Sequence, residues 1–486
     1  MSAIAGIVGK KARPKDVGRM LNEIRHRGPD NSVVRNLPYA TVGCGEINTS
    51  YQATFAFSGE QQPFVLMDGD VFNHRPYETT NATFLRSMYE KHGMDCFAKL
   101  DGSYACAVIE QDQTLLVRDP VGSRPLVYGT KDGQLYFASE AKALVDFLPE
   151  VKELPAGHIY SSRDGLKPFA LERPHLPEFE TPAEAAKALR EVMVEAVEKM
   201  MADGAAEGVS LSGGLDSSLI AAIAKQFNRK LKVFSTTIKR YPGQDLGYAK
   251  LMANYLGLEH HIYRITDEDI ARILPRAVWF LESFDEDCIS GFIANYYSAR
   301  MAREHTNCVL VGEGADELFG GYFRELQAVD DPEEKEKVAQ KLVAIAYNTA
   351  LRRLDRGWMS NSVDYRAPFL DAKVVTLSER IPLAMKVYAQ DGEQIEKWIL
   401  REAFRDMLPR EISNRPKLRF ARGTGVDDLM DQLIASKVGA KDMQRTPKSS
   451  QGVAFTSPKE LHYYRLFRKR FPSGYEGLTV RWDPFK

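Results

Sequence analysis

Short apolar runs separated by turn residues dominate the first 160 residues of the chain. Only two stretches there, at 14–24 and 81–92, repeat their apolar residues at helical spacing. The pattern therefore predicts a mixed α/β region in which strands are the majority. The predicted strands lie at residues 3–8, 64–67, 104–109, 114–117, 135–138 and 159–161.

The rest of the chain has a longer alternation of strand and helix. A helix is predicted from Pro182 to about Met201, with Thr181 as its N-cap. A short apolar run then ends at Ser212 and an Ala-rich helix follows; a strand at 231–235 and a helix at 246–256 repeat this order. Such alternation predicts a parallel sheet with helices on its faces, which binds ligands at the carboxyl ends of its strands.

The proline-rich, acidic stretch at 171–182 lacks periodicity and predicts a domain boundary. We expect a first domain at 1–165, a linker at 166–182 and a second domain at 183–486, which suits the length of 486 residues. A formal net charge of −1 gives no bulk attraction to nucleic acid or to an acidic membrane. Without a membrane-spanning run or a signal peptide, the protein is expected to be cytoplasmic, with its five cysteines reduced.

The turn between the strand and the Ala-rich helix has the composition of an anion-binding loop. Gly213 and Gly214 let the backbone approach phosphate oxygens, and the next helix points unpaired N–H groups at the loop. Asp216 adds a hard oxygen ligand for Mg2+. A bare Gly-Gly turn would equally suit an ordinary helix N-terminus. The predicted nucleotide-binding residues form a longer set, namely Leu211, Ser212, Gly213, Gly214, Leu215, Asp216, Ser217, Ser218 and, from a later loop, Gly312.

A second acidic loop follows an apolar run at 309–311 and reads Gly312-Glu313-Gly314-Ala315-Asp316. Asp316 is suited to share Mg2+ with Asp216, because phosphate-bound Mg2+ usually takes one or two carboxylates. Glu313 lies between glycines, where a carboxylate can approach a substrate and take the proton of an attacking amine. Helix capping is an alternative for Asp316 but does not suit Glu313.

These motifs resemble known families. The string from Ser212 to Ser218 resembles the pyrophosphate-binding loop of the N-type ATP pyrophosphatases, and it lacks a Walker lysine. Arg25-His26-Arg27-Gly28-Pro29-Asp30 and Arg118-Asp119-Pro120-Val121-Gly122 resemble the class II glutamine amidotransferase domain of asparagine synthetases. The resemblance covers nearly the whole chain. It implies an N-terminal-nucleophile sandwich, two sheets between helices, followed by a parallel-sheet ATP pyrophosphatase domain.

The residues at the family's glutamine-hydrolysing site are altered. Ser2 replaces the nucleophilic cysteine, and a hydroxyl is a poorer nucleophile than a thiol. Glu46 stands where the family has an arginine that clamps the glutamine carboxylate. Asp68 replaces the asparagine of the oxyanion hole, and an ionised carboxylate cannot donate a hydrogen bond. We therefore expect no glutaminase activity. The vestigial site comprises Ser2, Glu46, Asp68, Gly69, Asp70 and Asp101.

Two other interpretations of this vestigial site remain open. The acids Glu46, Asp68, Asp70 and Asp101 could bind a different, cationic ligand. Ser2 alone could be a laboratory substitution, although that would not account for Glu46 or Asp68.

Motifs in the last third of the chain suggest further site residues. The stretch Asp364-Tyr365-Arg366-Ala367-Pro368-Phe369-Leu370-Asp371 resembles the family's E-x-R-x-P-F-L-D, with Asp364 for Glu. The resemblance implies that Asp364 and Arg366 bind the acceptor, with an internal ion pair as the alternative for Arg366. Lys397 opens a K-x-x-L-R match, and Lys417 ends an R-x-K match. Lys417 is expected to neutralise charge on the α-phosphate and pyrophosphate.

The resemblance implies a ligase that uses ATP and Mg2+ to activate a carboxylate as acyl-AMP, releases pyrophosphate, and then forms an amide. With the aspartate side chain as acceptor and an inactive glutaminase half, free ammonia is the expected nitrogen source and asparagine the product. The resemblance also suggests a homodimer.

Three alternatives are kept. The first is an enzyme that closes an amide within one substrate, as β-lactam synthetases do, although those have Tyr in place of Glu313. The second is amidation of another small acid. The third is a non-catalytic relative, which the joint retention of Asp216, Asp316, Glu313 and Lys417 argues against.

Overall fold

The computed structural model describes residues 2–48, 62–74, 79–170, 178–240, 242–329, 331–390, 393–418, 420–435 and 437–481. We call residues 2–170 the N-terminal region and residues 178–481 the C-terminal region.

Two antiparallel sheets and two helices make up most of the N-terminal region. Its strands are β1 (Ser2–Val8), β2 (Asn31–Leu37), β3 (Ala40–Glu46), β4 (Phe64–Val71), β5 (Gly102–Ile109), β6 (Thr114–Arg118), β7 (Val127–Lys131), β8 (Gln134–Ala138), β9 (Lys152–Glu153), β10 (His158–Ser161) and β11 (Gly165–Pro168). Its helices are α1 (Pro14–Glu23) and α2 (Asn81–His92), with 3-10 turns at Arg25–Arg27, Gly93–Lys99 and Ala141–Leu144. The sheet orders are β2-β3-β1-β8-β7-β9 and β11-β10-β6-β5-β4.

Alternate side chains of each strand point to opposite faces and so build three apolar layers. Ile4 of β1 and Ala105 of β5 pack between the two sheets. Ala5 of β1 instead packs with the residues of α1, and Cys106 of β5 packs with those of α2. The order helix, sheet, sheet, helix confirms the predicted N-terminal-nucleophile sandwich.

The C-terminal region is built on one parallel sheet. Its strands are β12 (Gly208–Ser210), β13 (Lys232–Ile238), β14 (Glu259–Ile265), β15 (Cys308–Leu310) and β16 (Asp364–Arg366), with a separate hairpin of β17 (Tyr388–Gln390) and β18 (Glu393–Ile395). Its helices are α3 (Pro182–Met201), α4 (Leu215–Phe227), α5 (Asp245–Leu256), α6 (Asp267–Leu281), α7 (Glu286–Ala302), α8 (Ala315–Phe319), α9 (Phe323–Gln327), α10 (Pro332–Ile345), α11 (Ala350–Met359), α12 (Ala372–Arg380), α13 (Leu383–Lys386), α14 (Trp398–Ala403), α15 (Arg410–Ser413), α16 (Phe420–Thr424), α17 (Val426–Ala435), α18 (Ala440–Arg445) and α19 (Pro458–Arg468). Three 3-10 turns lie at Ala346–Asn348, Pro368–Leu370 and Glu476–Leu478.

Helices cover both faces of the parallel sheet, whose order is β14-β13-β12-β15-β16. Two neighbouring residues of β13 pack against helices on opposite faces of the sheet. Val233 packs in the apolar cluster that contains the core face of α4, and Phe234 packs in the cluster that contains Ala299 of α7. A sheet buried on both faces is the arrangement that parallel strands require. The predicted parallel-sheet fold is therefore confirmed.

The predicted linker at 166–182 overlaps the ends of two observed elements. Strand β11 continues to Pro168 and helix α3 begins at Pro182, while residues 171–177 lie outside the described residues. The division into domains at these positions stays a prediction. All five cysteines lie among the described residues, are buried and form no disulfide bond. Among the helices of the described ranges, none is both long enough and apolar enough to cross a membrane.

Candidate active site

A polar cleft opens at the carboxyl ends of the parallel strands, with an empty volume of about 1190 Å³ that includes space open to solvent. The loop after β12 and the N-terminus of α4 form one wall. Gly213 has φ of +78°, and a Cβ atom there would lie 2.3 Å from the backbone nitrogen of Ala249, so glycine is required. Gly214 is the N-cap of α4 and gives the helix no side-chain cap. The first-turn N–H groups of α4 therefore suit an anion.

Five of the predicted loop residues line the cleft, and three do not. The lining residues are Ser212, Gly214, Leu215, Asp216 and Ser217. Within the loop, the hydroxyls of Ser212 and Ser217 share a hydrogen bond of 2.9 Å. Leu211 and Ser218 are instead fully buried, and Gly213 packs against the backbone of α5. These three residues shape the loop from behind. Gly312, from the second loop, also lines the cleft.

The two predicted metal-binding acids meet across this cleft. The ammonium of Lys397 lies 2.6 Å from Asp216 Oδ2 and 2.5 Å from Asp316 Oδ1. Asp216 Oδ1 is buried and has no hydrogen-bond partner among the described residues. No set of three or more His, Cys, Asp and Glu side chains suited to a metal occurs in the part of the chain that the structure describes. Two carboxylates that reach one cation fit Mg2+ whose other ligands come from phosphates and water.

Lys417 contacts the same acid from the other side, through Asp316 Oδ2. Its loop is fixed to the body of the site, because Lys417 N donates to Glu396 Oε1 at 2.8 Å and Arg415 Nη1 donates to the Gly213 carbonyl at 2.8 Å. Burial alone would lower the pKa of Lys417, but the charges of Asp316 and Asp216 outweigh it and raise that pKa above its usual range. Lys417 is therefore a permanent cation beside the phosphate loop.

Glu313 lines the same cleft as the phosphate loop residues Ser212 and Gly214. Burial raises the pKa of Glu313 above the usual carboxyl range, although the positive charge of Arg353 opposes this. Glu313 Oε1 accepts a hydrogen bond of 3.4 Å from Arg353 Nη2, and Arg353 Nη1 also donates to Asp287. A carboxylate with a raised pKa is a stronger base, which suits proton removal from an amine.

Sequence reasoning missed Arg353 as a residue of the cleft. Its side chain lies across α7 at Gly291, where a Cβ atom would lie only 2.4 Å from Arg353 Cδ. Glycine at that point lets the guanidinium reach both Asp287 and Glu313. No motif in the sequence marks Arg353. Lys397 did lie in a motif match, but nothing local to it indicates that it bridges the two acids.

The structure corrects the placement of the two predicted acceptor-binding residues, Asp364 and Arg366. Neither lines the cleft. Both lie on β16 at positions two apart, so their side chains share a face, and that face meets the N-terminal region. Arg366 donates to both oxygens of Asp203 at 2.7 and 2.6 Å and to Asp70 at 3.3 Å. Asp364 accepts from Arg124 Nη2 at 3.1 Å. The alternative of an internal ion pair for Arg366 is the one observed.

Replacing Asp364 with asparagine is expected to stabilise the fold at neutral pH and to have little effect near pH 4. Burial, reinforced by the charge of Asp70, raises the pKa of Asp364 from 3.8 to about 6, although Arg124 opposes this. A raised carboxyl pKa contributes stability below the unfolded value, and that contribution is lost as the pH rises through the folded value. Asparagine keeps an acceptor for Arg124. The free energy of unfolding should rise by about 1–3 kcal/mol at neutral pH. Urea unfolding at neutral pH and near pH 4 measures this change in the free energy of unfolding. A variant that is equally destabilised at both pH values would contradict the prediction.

The vestigial site is filled with ion pairs that belong to the protein. Ser2 and Glu46 are register partners in β1 and β3, and Glu46 is buried. Asp68 accepts hydrogen bonds from Arg27 Nη2 at 3.0 Å and from the Ser139 hydroxyl at 3.1 Å. Arg27 has no exposed surface and also binds Glu140 and Asp355. The acid at position 68 therefore anchors an arginine that links the two regions.

The other residues of the vestigial site also make close internal contacts or ion pairs. Gly69 has φ of +120°, and a Cβ atom there would lie 2.0 Å from the Ser103 carbonyl oxygen. Asp70 pairs with Arg366 and Asp101 with Lys199, so both acids contact cations of the C-terminal region. Asp68, Asp70 and Asp101 therefore each pair with a cation of the protein itself.

Comparisons with known proteins agree with this arrangement. A family model described as asparagine synthase matches residues 188–346 and 330–457, and one described as glutamine amidotransferase domain matches residues 1–160. The chain is 29% identical to asparagine synthetase [glutamine-hydrolyzing] 2 of Arabidopsis thaliana, over 100% of this chain and 89% of that protein. It is 30% identical to asparagine synthetase [glutamine-hydrolyzing] 2 of Oryza sativa subsp. japonica, over 98% and 85%.

Among solved structures, glutamine phosphoribosylpyrophosphate amidotransferase from B. subtilis, complexed with ADP and GMP, matches with a TM-score of 0.29 and 15% identity, over 54% of this chain and 65% of that chain.

Proposed function

The chain belongs to the asparagine synthase family of ATP-dependent amide ligases, and we propose that it amidates the side-chain carboxylate of aspartate with free ammonia. The single observation that carries the proposal is the cleft itself. It brings the phosphate loop, the pair Asp216 and Asp316, the cation Lys417 and the partly buried acid Glu313 into one lining.

In the first step, an oxygen of the acceptor carboxylate attacks the α-phosphorus of ATP. The bond from that phosphorus to the bridging oxygen breaks, and pyrophosphate leaves as acyl-AMP forms. The N–H groups at the start of α4 and the hydroxyls of Ser212 and Ser217 bind the phosphate oxygens. Lys417 offsets the negative charge that grows on the leaving pyrophosphate. Mg2+, held by Asp216 and Asp316, would supply further charge neutralisation when bound.

In the second step, ammonia attacks the carbonyl carbon of the acyl-AMP and AMP leaves. The nitrogen loses a proton to become the amide, and Glu313 is the base that receives it. Arg353 holds the Glu313 carboxylate at 3.4 Å and so fixes its direction. The raised pKa of Glu313, caused mainly by burial, makes its carboxylate a stronger base for this proton.

The choice of ammonia over glutamine follows from the vestigial site. Asp68 stands at the position from which the relatives' oxyanion donor is expected to act, and it accepts hydrogen bonds from Arg27 and Ser139. Such a carboxylate repels a developing oxyanion instead of stabilising it. Glu46, buried beside the register position of Ser2, offers a like charge to the glutamine carboxylate.

We expect AMP release with aspartate and ATP to require ammonium and to be insensitive to glutamine. The measurement compares the initial rate of AMP formation with ammonium against the rate with low-millimolar glutamine, at one pH. Removal of one well-placed oxyanion donor already costs about 100-fold, so the glutamine rate should be at least about that much lower. Equal rates would refute ammonia dependence. Pyrophosphate exchange with other carboxylic acids, but not with aspartate, would refute the acceptor.

A further inference from the structure

Lys397 has an unusual place between the two acids of the phosphate site. It is the N-cap residue of α14 and has φ of +53°, a left-handed conformation that is uncommon for a lysine. Its side chain is 2% exposed, and its ammonium contacts both Asp216 and Asp316. A strained backbone that holds a buried ammonium in one position indicates that the position itself has a role.

Gly321 leaves the room that the contact between Lys397 and Asp316 needs. A Cβ atom at Gly321 would lie 2.5 Å from Lys397 Cε and 2.0 Å from Asp316 Oδ1. Any larger residue at position 321 would therefore displace the lysine, the acid or both. Lys397 is thus built into the site, whereas Lys417 reaches Asp316 from a loop and has a side chain that is 27% exposed.

The ammonium of Lys397 and a divalent cation need the same oxygens. Mg2+ binds carboxylate oxygens at roughly 2.1 Å and requires near-octahedral space around it. Asp216 Oδ2 and Asp316 Oδ1 face Lys397 at hydrogen-bond distance, so an ion between them would lie against the ammonium. Two cations at such a distance repel strongly in a partly buried site.

We infer that Lys397 is a resident cation that keeps free divalent metal out of the Asp216 and Asp316 pair, so that metal enters only together with the nucleotide. The triphosphate supplies new anionic oxygens to which Lys397 can transfer its contact. The two carboxylates then become available to the metal that the phosphates carry. This inference rests on the proposed function only in assigning the two acids to the ATP-associated metal.

The consequence is an order of binding in which the metal ion enters only together with the nucleotide. Without nucleotide, Lys397 and Lys417 neutralise the charges of Asp216 and Asp316. The two acids therefore gain no free energy by exchanging these lysines for a metal ion. With nucleotide, the anionic charge rises and a further cation is needed. Lys397 is accordingly a positioning residue, and its removal should create a metal site in the nucleotide-free protein.

The test titrates Mn2+ into the nucleotide-free protein and follows the electron spin resonance signal of free Mn2+. Wild type, Lys397→Arg and the surface control Lys373→Met, whose lysine pairs with Glu195 in solvent, should show only weak binding. Lys397→Met should bind one Mn2+ with affinity about tenfold higher or more. The double variant Lys397→Met/Asp316→Asn should lose that site. Wild type should gain Mn2+ binding when a non-hydrolysable ATP analogue is added.

Two results would overturn the inference. One is wild-type protein that binds Mn2+ without nucleotide as tightly as Lys397→Met does. The other is a Lys397→Met protein with wild-type thermal unfolding that shows no gain in Mn2+ affinity. If Lys397→Met does not fold, Lys397→Gln replaces it under the same criteria. The titration contains no acceptor, ammonium or glutamine, so failure of the proposed reaction leaves its outcome unaffected.

Discussion

Lys417→Met is expected to lower the rate of aspartate-dependent ATP–pyrophosphate exchange by about 100- to 1,000-fold. The methionine keeps the length of the stem but removes the charge that offsets the leaving pyrophosphate. Because Asp316 and Asp216 raise the pKa of Lys417 well above neutrality, the lysine is protonated throughout the working range. The loss should therefore be the same at every pH at which the enzyme is active. Radiolabelled pyrophosphate exchange at saturating aspartate measures it.

The fold should survive this change, since Asp316 still contacts Lys397 and the loop is still held by the hydrogen bond from the backbone N–H of residue 417 to Glu396. Lys337→Met is the matched control, because that lysine pairs with Glu334 on the surface of α10 and should exchange at the wild-type rate. A Lys417→Met enzyme that exchanges within a few-fold of wild type would remove this lysine from the activation step.

The phosphate loop could be predicted from the sequence because its geometry is local. A short strand, two glycines and an Ala-rich helix are consecutive in the chain, and each element carries its own signal. The structure shows the loop with Gly213 at positive φ and α4 beginning at Leu215. The helix predicted from Pro182 has its N-cap at Thr181 with a capping box, as the sequence indicates.

The contacts that complete the site could not be predicted, because they join distant parts of the chain. Lys397 meets Asp216 across 181 residues, and Arg353 meets Glu313 across 40. A motif gives the type of chemistry but not the direction in which a side chain points. The motif around β16 therefore predicts that Asp364 and Arg366 bind the acceptor, whereas the orientation of β16 turns both toward the N-terminal region, where Arg366 pairs with Asp70.

Five strands of the N-terminal region, β2, β3, β7, β9 and β11, are not among those that the apolar runs predict, and β2 and β3 show why. Strand β3 is fully buried but consists largely of small residues, Ala40-Thr-Val-Gly-Cys-Gly-Glu46. Strand β2 lies at the edge of its sheet and is mostly exposed. A hydrophobic pattern detects half-buried strands with large side chains. It misses a strand packed closely by glycines and a polar edge strand, both of which pair through the backbone.

Glu313→Gln is expected to lower the rate of amide formation by about 100- to 10,000-fold while acceptor-dependent pyrophosphate exchange stays close to the wild-type rate. Glutamine keeps an oxygen that can accept from Arg353 at the position where Glu313 does, so the geometry of the cleft should be retained. It cannot take the proton of the attacking nitrogen. Asparagine formation and pyrophosphate exchange are measured on the same enzyme preparation.

The pH dependence separates a base from a structural acid. Burial raises the pKa of Glu313, so the wild-type rate of amide formation, at a constant concentration of uncharged ammonia, should rise with pH along a limb that lies above the usual carboxyl range. That limb should be absent in Glu313→Gln, because the titrating group is gone. If the variant keeps the limb, another group is the base. If pyrophosphate exchange falls as far as amide formation does, Glu313 acts in the activation step, and the proton must leave the nitrogen by another route.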